Sequence, residues 1–153
     1  MSRVALDSNV FLYIARIGRN EADLMLADRA EETVATLRRR CKLVAPGQVL
    51  GEVYNKLTKS GFTRNDAAVW VTRVTKLFEI APATTQTYIT ALDLATRYKL
   101  QFWDAPIITA SVEAGCDLLL SEDMQDGFTV GGLTVANPFA AVLHPRLAAL
   151  LNG

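Results

Sequence analysis

Histidine is almost missing from this chain. His144 is the one histidine among 153 residues, so neither a histidine-based metal site nor a Ser-His-Asp triad can be assembled. It sits between Leu143 and Pro145 and reads as structural. Cysteine is scarce too. Cys41 and Cys116 do not make a disulfide framework, and they read as buried or idle thiols of a reducing cytoplasm. A domain of this length buries roughly 70% of its unfolded surface and needs no cross-link to fold. Excess charge of either sign is also lacking. The 16 basic and 16 acidic residues cancel, so no global positive field marks a nucleic-acid ligand, and a membrane-surface protein is disfavoured. No apolar run reaches the ~18 residues of a spanning helix, and the N-terminus has no signal-peptide layout. Repeats, linkers and low-complexity segments are absent. The expectation is a single cytoplasmic domain over residues 1–153 with no membrane contact.

Half of the residues are hydrophobic, and their spacing alternates between strand and helix. Val4–Leu6 is an apolar run suited to a buried strand. Asp7, Ser8 and Asn9 break it, all three being turn and N-cap formers, and Val10–Ile17 continues as a helix. Glu21–Arg40 reads as a long helix, with Leu24, Leu26, Ala30, Val34 and Leu37 at helical spacing. Leu43–Ala45 is a second strand, closed by Pro46-Gly47. Gln48–Ser60 is a helix whose stripe is Val49, Val53 and Leu57, stopped by Gly61. Thr63 and Asp66 resemble a helix start, with Val71, Val74 and Phe78 along one face. Glu79–Ala81 is a short strand. Thr85–Tyr98 is a helix with Ile89, Leu92 and Ala95 as its expected stripe. Asp104 is an N-cap candidate for a helix over Ile107–Ala114, with Pro106 in its first turn. Cys116–Leu120 is the strongest strand after the first. Gly131-Gly132 marks a turn before a last strand at Leu133–Val135, and the apolar tail reads as a helix packed on the body or on a partner. Such alternation implies a mainly parallel sheet with helices on its faces.

Four carboxylates share one kind of address. Asp7 follows the first strand and Asp123 follows Cys116–Leu120. Asp104 opens the helix that feeds that strand. Glu52 lies beside Val49 and Val53, at the edge of a buried face where an unpaired charge is costly. Parallel strands bring Asp7 and Asp123 to the same sheet edge, where ligands of open α/β sheets bind. Taken singly, each acid has an ordinary explanation: a helix cap, a turn residue or a solvated salt-bridge partner. Taken together they repel, and a cation among them relieves that. Oxygen-only donors select a hard ion, Mg²⁺ or Mn²⁺. Such an ion lowers the pKa of a bound water and offsets charge on a phosphoryl oxygen, which points to phosphodiester hydrolysis.

Leu6-Asp7-Ser8-Asn9 after an N-terminal strand resembles the opening motif of PIN-domain nucleases. Gly51-Glu52-Val53 resembles the family's helical glutamate. Phe102-Trp103-Asp104-Ala105, Glu113-Ala114-Gly115-Cys116 and Leu120-Ser121-Glu122-Asp123-Met124-Gln125-Asp126-Gly127 are similar to its third and fourth acidic segments, and Asn137-Pro138-Phe139 is similar to its close. The Trp-Asp and Ser-Glu-Asp segments and the chain length resemble VapC-type toxins of bacterial toxin–antitoxin pairs. The resemblance implies an α/β PIN-like fold, a mainly parallel sheet flanked by helices on both faces. It implies a Mg²⁺-dependent endoribonuclease, with Mn²⁺ as the other ion. Asp7 and Asp104 are then the main metal ligands, with Glu52 and Asp123 completing the pocket directly or through water. Ser8, Asn9 and Ser121 are supporting groups, and Asp126 is a spare acid ranked below Asp123. Pro106 departs from the apolar residue that members often carry there. The implied partners are an RNA substrate, a cognate VapB-type antitoxin whose tail blocks the site, and a second copy in a homodimer.

Arg38, Arg39, Arg40 and Lys42, or Lys56, Lys59 and Arg64, are basic groups available for phosphates, although charge runs are ordinarily solvated helix ends. Two other readings stand beside the nuclease. One is a non-catalytic RNA- or protein-binding module of the same fold that has kept its acids. The other is a different Mg²⁺-dependent phosphoryl-transfer hydrolase. The haloacid-dehalogenase version of the latter wants a second Asp two residues after the first, and Asn9 stands there.

Overall fold

The computed structural model describes residues 1–153. The first strand, β1 (Arg3–Leu6), is buried from Val4 onward. Asp7 turns the chain into α1 (Ser8–Ile14) by accepting the Ser8 N–H on Oδ1 at 2.7 Å, a cap that satisfies one of the helix's free donors. This helix stops at Ile14, three residues short of the expected end. Arg16 takes a left-handed φ of 57°, which no helix continues through. Asn20 then caps α2 (Glu21–Arg38) through the Asp23 N–H. Strand β2 (Lys42–Pro46) leads directly into α3 (Gly47–Lys59), and Thr63 caps α4 (Arg64–Leu77). Strand β3 (Glu79–Ala81) precedes α5 (Thr85–Tyr98), whose start is a reciprocal pair of Thr84 and Thr87 hydrogen bonds.

Helix α6 (Asp104–Glu113) leads to β4 (Leu118–Leu120). Asp104 is the first helical residue rather than the N-cap. Trp103 holds the cap position and offers no side-chain bond. Strand β4 is also shorter than expected. Asp117 lies just outside it, with Oδ2 accepting the Arg3 N–H at 3.0 Å. A two-residue strand not expected from the sequence, β5 (Thr129–Val130), pairs antiparallel with β6 (Leu133–Ala136) across Gly131-Gly132. Helix α7 (Pro145–Asn152) is capped by His144, whose Nδ1 accepts the Arg146 N–H. It packs on the body. Leu147 is fully buried, and the Arg40 guanidinium donates to the carbonyls of Leu150 and Leu151.

The sheet runs β3-β2-β1-β4-β6-β5, and every pairing except β5 with β6 is parallel. The chain moves outward one way from β1 to β2 and β3, then crosses back to β4 on the other side of β1. With the right-handed crossovers that parallel strands almost always take, this reversal of direction puts helices on both faces of the sheet. They also make the β1–β4 border a topological switch point, whose crevice opens past the strands' carboxyl ends.

Helix α5 buries a different face from the expected one. Ile89 and Leu92 are exposed, and Thr87, Ala91 and Leu94 are buried. Small residues let α5 lie close to α6, and the Thr87 hydroxyl is satisfied by Glu113 at 2.7 Å. Both thiols are buried as expected. No helix is long and apolar enough to cross a membrane.

Candidate active site

Strand β1 ends against β4, and the Asp7 N–H donates to the Leu120 carbonyl at 2.9 Å. That pairing delivers Ser121, Glu122 and Asp123 beside Asp7. Asp7 is 5% exposed, and its two carboxylate oxygens divide the work. Oδ1 caps α1. Oδ2 accepts the Ser121 hydroxyl at 2.7 Å and the Asn9 amide at 3.3 Å. The same Asn9 nitrogen reaches Asp123 Oδ2 at 3.2 Å and Ser121 Oγ at 3.4 Å, while Asn9 Oδ1 accepts the Glu122 N–H. Asn9 thus spans two like-charged side chains. Burial raises the Asp7 pKa, the bonds from Ser121 and Ser8 pull it back, and the charge on Asp123 raises it again.

Glu52 reaches the same place from α3, and Asp104 from the start of α6. Burial raises the pKa of each. Asp7 and Asp104 raise that of Glu52 further, and Asp7 and Asp123 raise that of Asp104. The nearby Gln48 favours the charged form of Glu52, and its amide donates to the Trp103 carbonyl at 2.8 Å. Gln48 thereby links α3 to the residue before Asp104. Oε1 of Glu52 is buried with no hydrogen-bond partner. An unpaired buried oxygen on an acid is expensive unless another group completes it.

Four acids from four separate segments therefore feel one another's charge, although no three carboxylates close on a single point. Mg²⁺ keeps several waters and is held by one or two carboxylates, so an oxygen-only set with one unpartnered oxygen fits such an ion. Asp126 stands apart from this group. It is exposed, and its Oδ1 accepts the Asn137 N–H at 3.0 Å.

Two neighbours escaped the reading of the sequence as site residues. Tyr13 donates its hydroxyl to Glu122 Oε1 at 2.8 Å. Its pKa is pushed up to about 12, first by burial and then by that bond. Both residues line a cavity of about 300 Å³ that Asn9 and Asp123 share. The adjacency of Glu122 to Asp123 was the only hint in the sequence.

A mostly parallel α/β sheet with acids at its switch point defines a class of protein, and the chain belongs to the PIN domain family. Residues 4–126 match that family, a span that holds all four acids. Solved structures of VapC toxins and their complexes share the fold. A chain of VapBC2 from Rickettsia felis, solved bound to a DNA fragment from their promoter, is 13% identical with a TM-score of 0.65, covering 88% of this chain and 98% of that one. VapC20 of Mycobacterium tuberculosis, a sarcin-ricin loop cleaving toxin, is 16% identical with a TM-score of 0.65, covering 84% and 97%. A chain of a toxin–antitoxin complex from Klebsiella pneumoniae is 18% identical with a TM-score of 0.63, covering 89% and 98%. At these identities the likeness is one of fold. No curated protein sequence matches the chain.

Proposed function

We propose that this chain is a Mg²⁺-dependent endoribonuclease, the toxin of a type II toxin–antitoxin pair, with Mn²⁺ as a competent substitute. PIN domains are typically nucleases that use a divalent metal. The observation that carries the reading is the unpartnered, buried Glu52 Oε1, set among acids whose charges raise the pKa of Glu52 and of Asp104. Such mutual repulsion is tolerated where a cation belongs.

In this reading Asp7 and Asp104 would hold the ion, and Glu52 and Asp123 would complete the shell, directly or through water. When bound, such an ion would lower the pKa of a water and offset charge on a phosphoryl oxygen. Ser121 and Asn9 orient Asp7, and the bridge from Asn9 keeps Asp123 facing it. Ser8 fixes the other Asp7 oxygen through its N–H. The raised proton affinity of Glu52 equips it to take a proton as the water attacks. The whole chain acts as one domain, in the cytoplasm, as a homodimer controlled by a VapB-type antitoxin.

The test is cleavage of single-stranded RNA by the purified protein with Mg²⁺, with EDTA, and with Asp104→Asn. Cleavage is expected only for the wild type with Mg²⁺. Cleavage that survives both chelation and Asp104→Asn refutes the proposal. The separation that keeps three acids from meeting at one point favours a second reading, a binding module of the same fold. RNA retention without any cutting in Mg²⁺ supports that module instead.

A further inference from the structure

The cavity beside Tyr13 does not end at the acids. Ile17 and Gly18 line it and also line a second cavity of about 540 Å³, which Arg19, Ser60 and Gly61 share. Sharing Ile17 and Gly18, the two cavities adjoin as one trough, with Asn9 and Asp123 at one end and Arg19 and Gly61 at the other. Their chemistry differs. The first offers an apolar wall, Leu12 and Ile17, faced by the carboxylates of Asp23, Glu122 and Asp123. Carboxylates accept hydrogen bonds and cannot donate them, so this part suits a flat apolar face with N–H groups on its edge and repels phosphate. The second cavity holds Arg19, which is exposed and takes part in no ion pair. Arg16 lines it too, but its guanidinium is bound to Asp28 and Glu31. Asp66 is the one carboxylate there.

The basic cluster around Arg38 and Lys42 is in the wrong place. Lys42 begins β2, and Arg38 sits beside it in a pocket with Leu43 and Glu79. That is the edge where strands start, opposite the acids. Arg40 is already committed to the carbonyls of α7. Helices α2 and α4, by contrast, each run down to the start of the next strand, so Arg19 and Gly61, just before them, lie on the acids' side of the sheet.

We propose that this trough is the track for the RNA strand on one side of the scissile phosphate. A base lies against Leu12, Tyr13 and Ile17, and its outer phosphate rests on Arg19. The alternation of an acceptor-rimmed apolar slot with a free guanidinium matches the alternation of base and phosphate along a single strand. The inference rests on the nuclease reading for the scissile phosphate, but its test does not depend on cutting. Asp23 packs directly on Gly18, where a Cβ would stand 2.5 Å from the Asp23 Cβ, so only glycine fits at this shared point of the two cavities.

The experiment is anisotropy of a fluorescein-labelled 12-nucleotide RNA in EDTA across a salt series. It compares wild type, Arg19→Ala and the far-edge control Arg39→Ala, with a Glu-rich peptide as the rival ligand. Arg19→Ala is expected to weaken RNA binding several-fold and to lower the salt slope by about 0.7, the value of one single-strand phosphate contact. Arg39→Ala is expected to change neither. Equal behaviour of the two variants overturns the track, and so does loss of peptide binding alone. Cleavage by the wild type in Mg²⁺ with an unaltered Arg19→Ala sinks the track and leaves the nuclease standing. No cleavage by any form, with RNA affinity still lost in Arg19→Ala, sinks the nuclease and leaves the track.

Discussion

Ser121 donates its hydroxyl to Asp7 Oδ2 at 2.7 Å, across the border between β4 and β1. Neither residue is near the other in the chain, and the parallel register of Leu6 on Leu120 creates the contact. Ser121 is fully buried and also accepts the Met124 N–H at 3.2 Å. One hydroxyl therefore holds an acid of the site and the turn that carries Asp123.

Replacing Ser121 by Ala removes both bonds and strands a buried N–H beside a buried carboxylate. Such loss costs roughly 1–3 kcal/mol, to be read from urea unfolding. Because the Ser121 bond lowers the Asp7 pKa, its removal moves that pKa further up, as carboxyl NMR titration would report. Ser121→Thr keeps the hydroxyl and should restore most of both. A downward shift in Ser121→Ala would contradict this account of Asp7.

Phe11 stands on α1 directly behind the Asp7 cap, 1% exposed, with its ring edge-to-face on Phe78 at 5.1 Å and on Trp70 at 6.4 Å. Truncating a buried Phe to Ala costs about 3–5 kcal/mol. At roughly 2–4 °C per kcal/mol for a domain of this size, the melting temperature should fall by about 10 °C. A fall under about 3 °C would mean that α1 is not anchored by this cluster.

Much of this arrangement was legible in the sequence because local chemistry and long-range packing agree. The stripe Val49, Val53 and Leu57 is the buried face of α3, and Asp7 breaks β1 where the polar triplet begins. The α5 stripe was not legible. That helix carries apolar residues on two faces, and Tyr88, Ile89 and Leu92 stay exposed while Thr87 and Ala91 go inside. Periodicity cannot choose between two apolar faces when small residues line one of them. The convergence of acids was expected from the strand ends, but the Asn9 bridge and the Tyr13–Glu122 bond were not. Both depend on β4 landing beside β1, which the sequence implies only through the alternation of elements.

Glu52 gives a test of the electrostatics that needs no RNA. Its pKa is raised by burial and by the charges of Asp7 and Asp104. A carboxyl whose folded pKa exceeds its unfolded one stabilises the fold below the unfolded value, and that contribution is lost as pH rises through the folded value. Without divalent ions, the wild type should therefore lose stability as pH climbs from about 4.5, the region of an ordinary Glu, toward neutrality. Glu52→Gln removes one of the repelling charges, so its loss over that range should be smaller. At pH 7 it should melt higher than the wild type. Glu52 is only partly buried, so screening holds the gain to at most about 1 kcal/mol, or roughly 2–4 °C. Adding Mn²⁺ should reverse the order, because an ion that binds only the folded protein stabilises the form with the more complete oxygen set. Melting curves over pH, with and without Mn²⁺, check all three points. A Glu52→Gln protein that melts lower than the wild type at pH 7 in EDTA would show that Glu52 is stabilised by its surroundings rather than crowded by them.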